Sequence, residues 1–180
     1  MRLRSLTHLL EELRARDATR KIVVLGSSSL LPFYPELGEP GGPLDLTCDA
    51  DFLLEPVDKE IALLLGQALG ANKEFHLKFG YHADILHPSI AETLPPGWEG
   101  RLVAVEGFDN VFALEPLDLA VVKIVVGREK DLALVRGLLE LRKISAEDLR
   151  KRWSSMPLGE REIFRSGRNL ALVVEGSGSR

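Results

Sequence analysis

Cysteine is nearly absent: Cys48 stands alone among 180 residues, so no internal disulfide forms and the chain suits a reducing compartment. No apolar run approaches the roughly 18 residues of a membrane-spanning helix. The opening MRLRSLTHLLEELRARD is basic at first, but Glu11 and Glu12 interrupt its apolar section, unlike a secretory signal. Dinucleotide G-x-G-x-x-G and Walker-type loops are missing, which removes two common phosphate-binding modes. There is no basic excess either. A formal net charge of -4 gives no global pull toward nucleic acid or anionic membranes, so any nucleic-acid contact is local. Repeats and low-complexity stretches are also lacking. What remains, 45% hydrophobic and 28% charged, is the composition of a soluble, cytoplasmic globular protein with one main core.

The patterning alternates strand and helix. Leu6, Leu9, Leu10 and Leu13 recur at helical spacing, so residues 5–17 read as an amphipathic helix capped by Ser5. Lys21 to Leu25 is a short, Ile/Val-rich run ending at Gly26, a buried strand. Residues 30–43 are crowded with proline and glycine and read as an irregular loop. The following segment, 43–56, reads as one strand with Leu44, Leu46, Cys48, Ala50, Phe52 and Leu54 on the apolar face. Asp58 to Gly70 is a capped helix. Residues 74–86 alternate strictly, Phe75, Leu77, Phe79, Tyr81, Ala83 and Ile85 against His76, Lys78, His82 and Asp84, and predict a long strand bent at Gly80. Residues 101–114 form a hairpin. From Pro116 the pattern is helical, although LAVVKIVV favours a strand by propensity. A capping box at Ser145–Asp148 opens another helix, and a last helix covers 160–172. The expected fold is α+β: a mixed sheet with helices on one face, then a helical segment. The expected divisions are 1–115 for the sheet-bearing core, 116–175 for the helices and 176–180 for a flexible tail.

The chemistry concentrates on carboxylates. Asp49 and Asp51, two apart on a strand, lie about 6.6 Å apart on one face. Asp84 lies on the polar face of another strand. If the strands are neighbours, the three carboxylates converge and suit Mg²⁺, a hard cation that prefers oxygen. The turn Gly26-Ser27-Ser28, directly after a buried strand, offers backbone N–H groups and hydroxyls to phosphate oxygens.

Gly26-Ser27, then Asp49-Ala50-Asp51, then Asp84 on a later strand resemble the nucleotidyltransferase superfamily typified by DNA polymerase β. Residues 114–139 resemble the helical segment that follows the sheet in its small prokaryotic members, which include toxins of toxin–antitoxin pairs. That resemblance implies a nucleoside triphosphate substrate held at Gly26, Ser27 and Ser28, and Mg²⁺ or Mn²⁺ on Asp49 and Asp51. It implies that Asp84 is the third ligand or the group that deprotonates the acceptor hydroxyl. Lys123, Arg128, Lys130 and Asp131 match the family's basic helical segment, where nucleotide or acceptor contacts are expected. An RNA, protein or small-molecule acceptor, a neutralising partner protein and no membrane association complete the expectation. The connection from Gly26 to Asp49 is longer than in that family, and its Pro/Gly loop is expected either to cover the site or to hold the turn away from it.

Other readings compete. Asp49 and Asp51 also suit a charged strand edge that discourages aggregation, and the serines suit an ordinary turn or cap. Lys123 suits a snorkelling core lysine, and Arg128 to Asp131 suit a solvated helix junction. His82, Asp84 and His87, with His76 nearby, raise zinc coordination, but in no recognised spacing. Cys48 reads as core packing. The alternative in a different class is a binding or regulatory module that keeps the fold without catalysis.

Overall fold

The computed structural model describes residues 1–56 and 58–177. Two compact units emerge: Met1–Glu92 with Arg101–Glu115, and Thr93–Gly100 with Pro116 onward. The architecture is α+β, a five-stranded mixed sheet with helices followed by a set of C-terminal helices. No described helix is long and apolar enough to cross a membrane.

In the first unit, helix α1 (Leu3–Arg16) buries Leu6, Leu9, Leu10 and Leu13, the stripe that its periodicity predicts. Strand β1 (Lys21–Leu25) is buried from Ile22 to Leu25. Strand β2 (Asp49–Glu55), helix α2 (Lys59–Leu69), helix α3 (Glu74–Phe79), strand β3 (His82–Ile85) and the hairpin β4 (Val103–Ala104) and β5 (Val111–Ala113) follow. The strand order is β3-β2-β1-β5-β4. β1 runs antiparallel to β2 and parallel to β5, β2 runs parallel to β3, and β4 and β5 are antiparallel. Asp58 caps α2 by accepting from the N–H groups of Glu60 and Ile61.

Two expected strands come out shorter. The segment 43–48 is turn rather than strand: Asp45 N–H bonds the Gly42 carbonyl, Thr47 N–H bonds the Leu44 carbonyl, and the Asp45 side chain accepts from Gly41 N–H. Pro40 and Pro43 lack the N–H that a ladder needs. Leu46 is consequently 95% exposed, and Cys48 is exposed as well, which corrects its assignment to the core. Residues 74–79 form helix α3 instead of strand. Phe75 and Phe79 are four apart and share a face under either period; their rings lie 4.8 Å apart. Leu77 separates the two readings, because a strand would bury it with them, and it is 77% exposed. Gly80, at φ 79°, ends the helix in the left-handed conformation that a strand cannot continue. His8 of α1 packs against Phe75 and Phe79, and its Nδ1 lies 2.7 Å from the Tyr81 hydroxyl.

The second unit holds α4 (Pro116–Val126), α5 (Glu129–Glu140), α6 (Ala146–Ser154) and α7 (Glu160–Ser177). Its core gathers Ala120, Val121, Ile124, Val135, Leu149 and Val173. Helix α4 is helical despite its β-branched run because it is buried from nearly all sides, so packing overrides propensity. Its Asp118 is buried and ion-paired with Arg152. Ser145 caps α6 by accepting from Asp148 N–H. Helix α7 runs past the expected end at 172, and residues 178–180 of the expected flexible tail lie outside the described residues.

Candidate metal and nucleotide site

The sheet register assembles the acidic group. Alternation along β2 buries Ala50 and Phe52 completely and leaves Asp49 and Asp51 half-buried on the other side. β3 pairs in register so that Asp51 stands beside Asp84 and Asp49 beside His82. One oxygen from each of Asp49, Asp51 and Asp84 can be chosen so that all three lie within 4.8 Å of one another. Two unit charges 4 Å apart repel by about 1 kcal/mol in water and about 4 kcal/mol at the effective dielectric of a protein surface. Backbone register gathers the three carboxylates, and a divalent cation shared among them would offset such repulsion. The donor set is all oxygen and half-exposed, which fits Mg²⁺ or Mn²⁺.

The Gly-Ser turn meets this group from β1. The last β1 residue, Leu25, pairs with Asp51, so Gly26 emerges at the carboxylates. Gly26 has φ 58° and ψ -164°, a region essentially confined to glycine. A Cβ built on it would lie 1.8 Å from Asp51 Oδ2. Only glycine lets the backbone come this close. The long connection therefore leaves its two ends together. Within it, residues 27–30 and Pro35–Gly38 form single 3-10 turns, and the N-terminal amine of Met1 donates to the Leu44 and Asp45 carbonyls. Gly26→Ala is expected to lose about 1–3 kcal/mol from backbone strain alone, and more from displacing the Asp51 carboxylate. Urea unfolding measures it; a variant as stable as the parent would show that Asp51 is not packed on Gly26.

The turn's serines divide. Ser28 is 1% exposed and donates to the Leu25 carbonyl at 3.3 Å, while Ser29 is fully buried and donates to the Gly26 carbonyl at 2.8 Å. Both hydroxyls brace the turn. Ser27 is the half-buried one.

The basic candidates sit in the helical unit. Lys123 is buried, with Nζ 2.7 Å from Asp131 Oδ1, and Arg128 Nε lies 2.6 Å from Asp131 Oδ2. Asp131 is 1% exposed. Burial pushes its carboxyl up, but the hydrogen bonds and charges of Arg128 and Lys123 outweigh that and hold it below the usual carboxylate range. The Lys123–Asp131 pair thus joins α4 to the start of α5 as a buried ion pair, while Arg128, Glu129 and Lys130 are exposed as a solvated junction would be.

The histidines separate from the arrangement that their spacing suggests. His87 is exposed, with Nδ1 2.9 Å from the Ser89 hydroxyl. His76 and His82 come together, ring centroids 4.6 Å apart, and Cys48 joins them. Reading 74–79 as a strand and Cys48 as core conceals that meeting; glycine at the end of an i, i+4 aromatic pair is the signal for the helix.

The mixed sheet thus presents three carboxylates beside a glycine turn, a group that could hold a metal ion. Residues 1–165 match the family described as nucleotidyltransferase of unknown function (DUF6036), and the chain belongs to that family. No curated protein and no solved structure is matched.

Proposed function

We propose that the chain is a nucleotidyltransferase that moves a nucleoside monophosphate from a nucleoside triphosphate to an acceptor hydroxyl. The observation that carries this reading is the convergence of Asp49, Asp51 and Asp84 within 4.8 Å against a Gly26 backbone that leaves no room for a side chain. In the reaction the acceptor oxygen bonds to the α-phosphorus, the bond from that phosphorus to the β-bridging oxygen breaks, and pyrophosphate leaves. Asp49 and Asp51 would hold Mg²⁺ or Mn²⁺, and Asp84 would either complete that set, the acceptor proton then passing to solvent, or take that proton itself. The bound ion supplies charge neutralisation on the phosphate oxygens. The N–H groups after Gly26, with Ser27, receive phosphate oxygens whose charge grows in the transition state.

Nucleotide contact rests in this reading on Gly26 and Ser27. Ser28 supports the turn, and Lys123 and Arg128 support the helix junction through Asp131. Lys130, exposed, is the basic residue of that segment open to a nucleotide or acceptor. The resemblance to small prokaryotic members, toxins of toxin–antitoxin pairs among them, supports an RNA or protein acceptor and a neutralising partner protein, with a small-molecule acceptor as the third class.

The test incubates the protein with each α-labelled nucleoside triphosphate, Mg²⁺ and cell extract, and resolves the label among RNA, protein and small molecules. Label transferred with release of pyrophosphate is the expected result. Failure to transfer any of the four nucleotides, together with no calorimetric binding of nucleotide in Mg²⁺, overturns the reading in favour of a non-catalytic module.

A further inference from the structure

The structure assigns, we infer, a second metal site to this chain, built from Cys48, His76 and His82 and suited to Zn²⁺ rather than Mg²⁺. One ligand-type atom from each of the three residues falls within 4.8 Å of the others. The groups come from three separate places. Cys48 ends the turn before β2, His76 lies in the last turn of α3, and His82 opens β3. A backbone hydrogen bond from His82 N–H to the Cys48 carbonyl, 2.9 Å, fixes the first to the third. The φ 79° turn at Gly80 brings His76 back over His82.

An independent observation points to a ligand. His82 is 8% exposed, and its Nδ1 is buried with no hydrogen-bond partner. A buried imidazole nitrogen without a partner is costly, and a metal ion is a group that satisfies it. The other nitrogen, Nε2, lies 3.6 Å from Asp84 Oδ1. That distance is beyond a hydrogen bond; a small rotation would make the carboxylate the outer partner that orients a metal-bound histidine.

The chemistry separates this group from its acidic neighbour. Thiolate and imidazole select zinc-like ions, whereas three carboxylates select hard cations. Metal–ligand lengths of about 2.0–2.3 Å place tetrahedral ligand atoms about 3.4–3.6 Å apart. Closing to that spacing needs side-chain rotation only where there is room for it, because Cys48 is exposed and His76 half-buried. His76 Nδ1 now accepts from Asn72 N–H at 3.0 Å. That amide is exposed and turns to water when the ring coordinates. The thiol loses its proton to solvent as the metal binds, so uptake releases a proton and strengthens as pH rises. Three protein ligands leave a fourth position for water or another ligand.

The test loads the full chain with Co²⁺ and titrates it with Zn²⁺, with Mg²⁺ in excess to fill the carboxylate group. The expected result is one ion per chain, a thiolate-to-cobalt charge-transfer band and tetrahedral d–d absorption, all displaced by Zn²⁺. Cys48→Ala removes the band and weakens Zn²⁺ binding at least about 100-fold, since even outer-partner changes cost 10–100-fold. His76→Ala weakens it similarly, whereas Asp49→Asn leaves the band in place. Both ligand variants alter residues with solvent access, and unfolding curves verify that they fold. Absence of binding overturns the site. So does cobalt bound without the thiolate band, or zinc affinity that falls in Asp49→Asn but not in Cys48→Ala. None of these readouts depends on nucleotidyl transfer, so this site and the proposed activity fail separately.

Discussion

Asp51→Asn is expected to lower nucleotidyl transfer by at least about a thousandfold while leaving the fold intact. The substitution keeps the side chain's size and removes its charge. Charge stabilisation by a bound ion is worth several kcal/mol, and each 1.36 kcal/mol is tenfold in rate. Asp51 is the residue most exposed to this test because it touches both halves of the site. It pairs with Leu25 on one side and Asp84 on the other, and its Oδ2 occupies the space that a Cβ on Gly26 would need. Asp49→Asn is expected to fall by a similar factor. Asp84→Asn separates two roles. If Asp84 holds the ion, Mn²⁺ affinity measured by titration calorimetry falls with the rate. If it takes the acceptor proton, Mn²⁺ affinity holds while the rate falls. Transfer by Asp51→Asn at the parent rate would remove Asp51 from the site.

Much of this site was legible from period-two alternation, because a strand face is a local property. Asp49 and Asp51 flank Ala50, which is fully buried, and no tertiary knowledge is needed to place them together. What alternation cannot supply is the partner. That β3 lies beside β2, in the register that sets Asp51 against Asp84, depends on a parallel pairing across α2 and α3, with no local signature. The closeness of Gly26 to Asp51 was hidden for the same reason. Residues far apart along the chain are joined by an antiparallel register, while the Pro/Gly loop between them suggests separation. Helix α3 shows the opposite failure. Its six residues satisfy the strand period as well as the helix period, since Phe75 and Phe79 coincide under both, and the exposed Leu77 decides. A strand over 74–79 points His76 away from Cys48 and leaves the thiol without polar company. Capping signals fared unevenly: α1 begins at Leu3 after Arg2, so Ser5 lies inside the helix and does not cap it. Asp58 and Ser145 each accept the backbone N–H groups that their positions predict, because a cap needs only its own first turn.

Asp131→Ala is expected to cost about 3–5 kcal/mol of stability, the penalty for leaving the partner of a buried ion pair uncompensated. The ammonium of Lys123, inside α4, would lose its 2.7 Å contact in a helix buried from nearly all sides, and Arg128 would lose its bond across the first turn of α5. Lys123→Met is expected to cost less. It removes the buried cation itself, Asp131 retains Arg128, and methionine fills an apolar setting. The order of the two variants, read from urea midpoints at constant slope, is the discriminating result. Equal losses would mean that the Lys123 charge itself is needed at the junction and that Arg128 alone does not hold Asp131. The pH dependence follows from the same pair. Asp131 is held below its usual range in the folded state, so its contribution is complete above the unfolded value near 3.9. It is lost as pH falls through the lower folded value. Below about pH 4 the parent should therefore lose stability more steeply than Asp131→Asn, which has no proton to take up at that position. Parallel curves for the two proteins in that window would show that the charge on Asp131 does not hold the junction. The buried pair also explains why this segment reads ambiguously by composition. Lys123 and Asp131 are eight residues apart on successive helices, and their pairing depends on the turn at Gly127, φ 72°, which a helix-face count passes over.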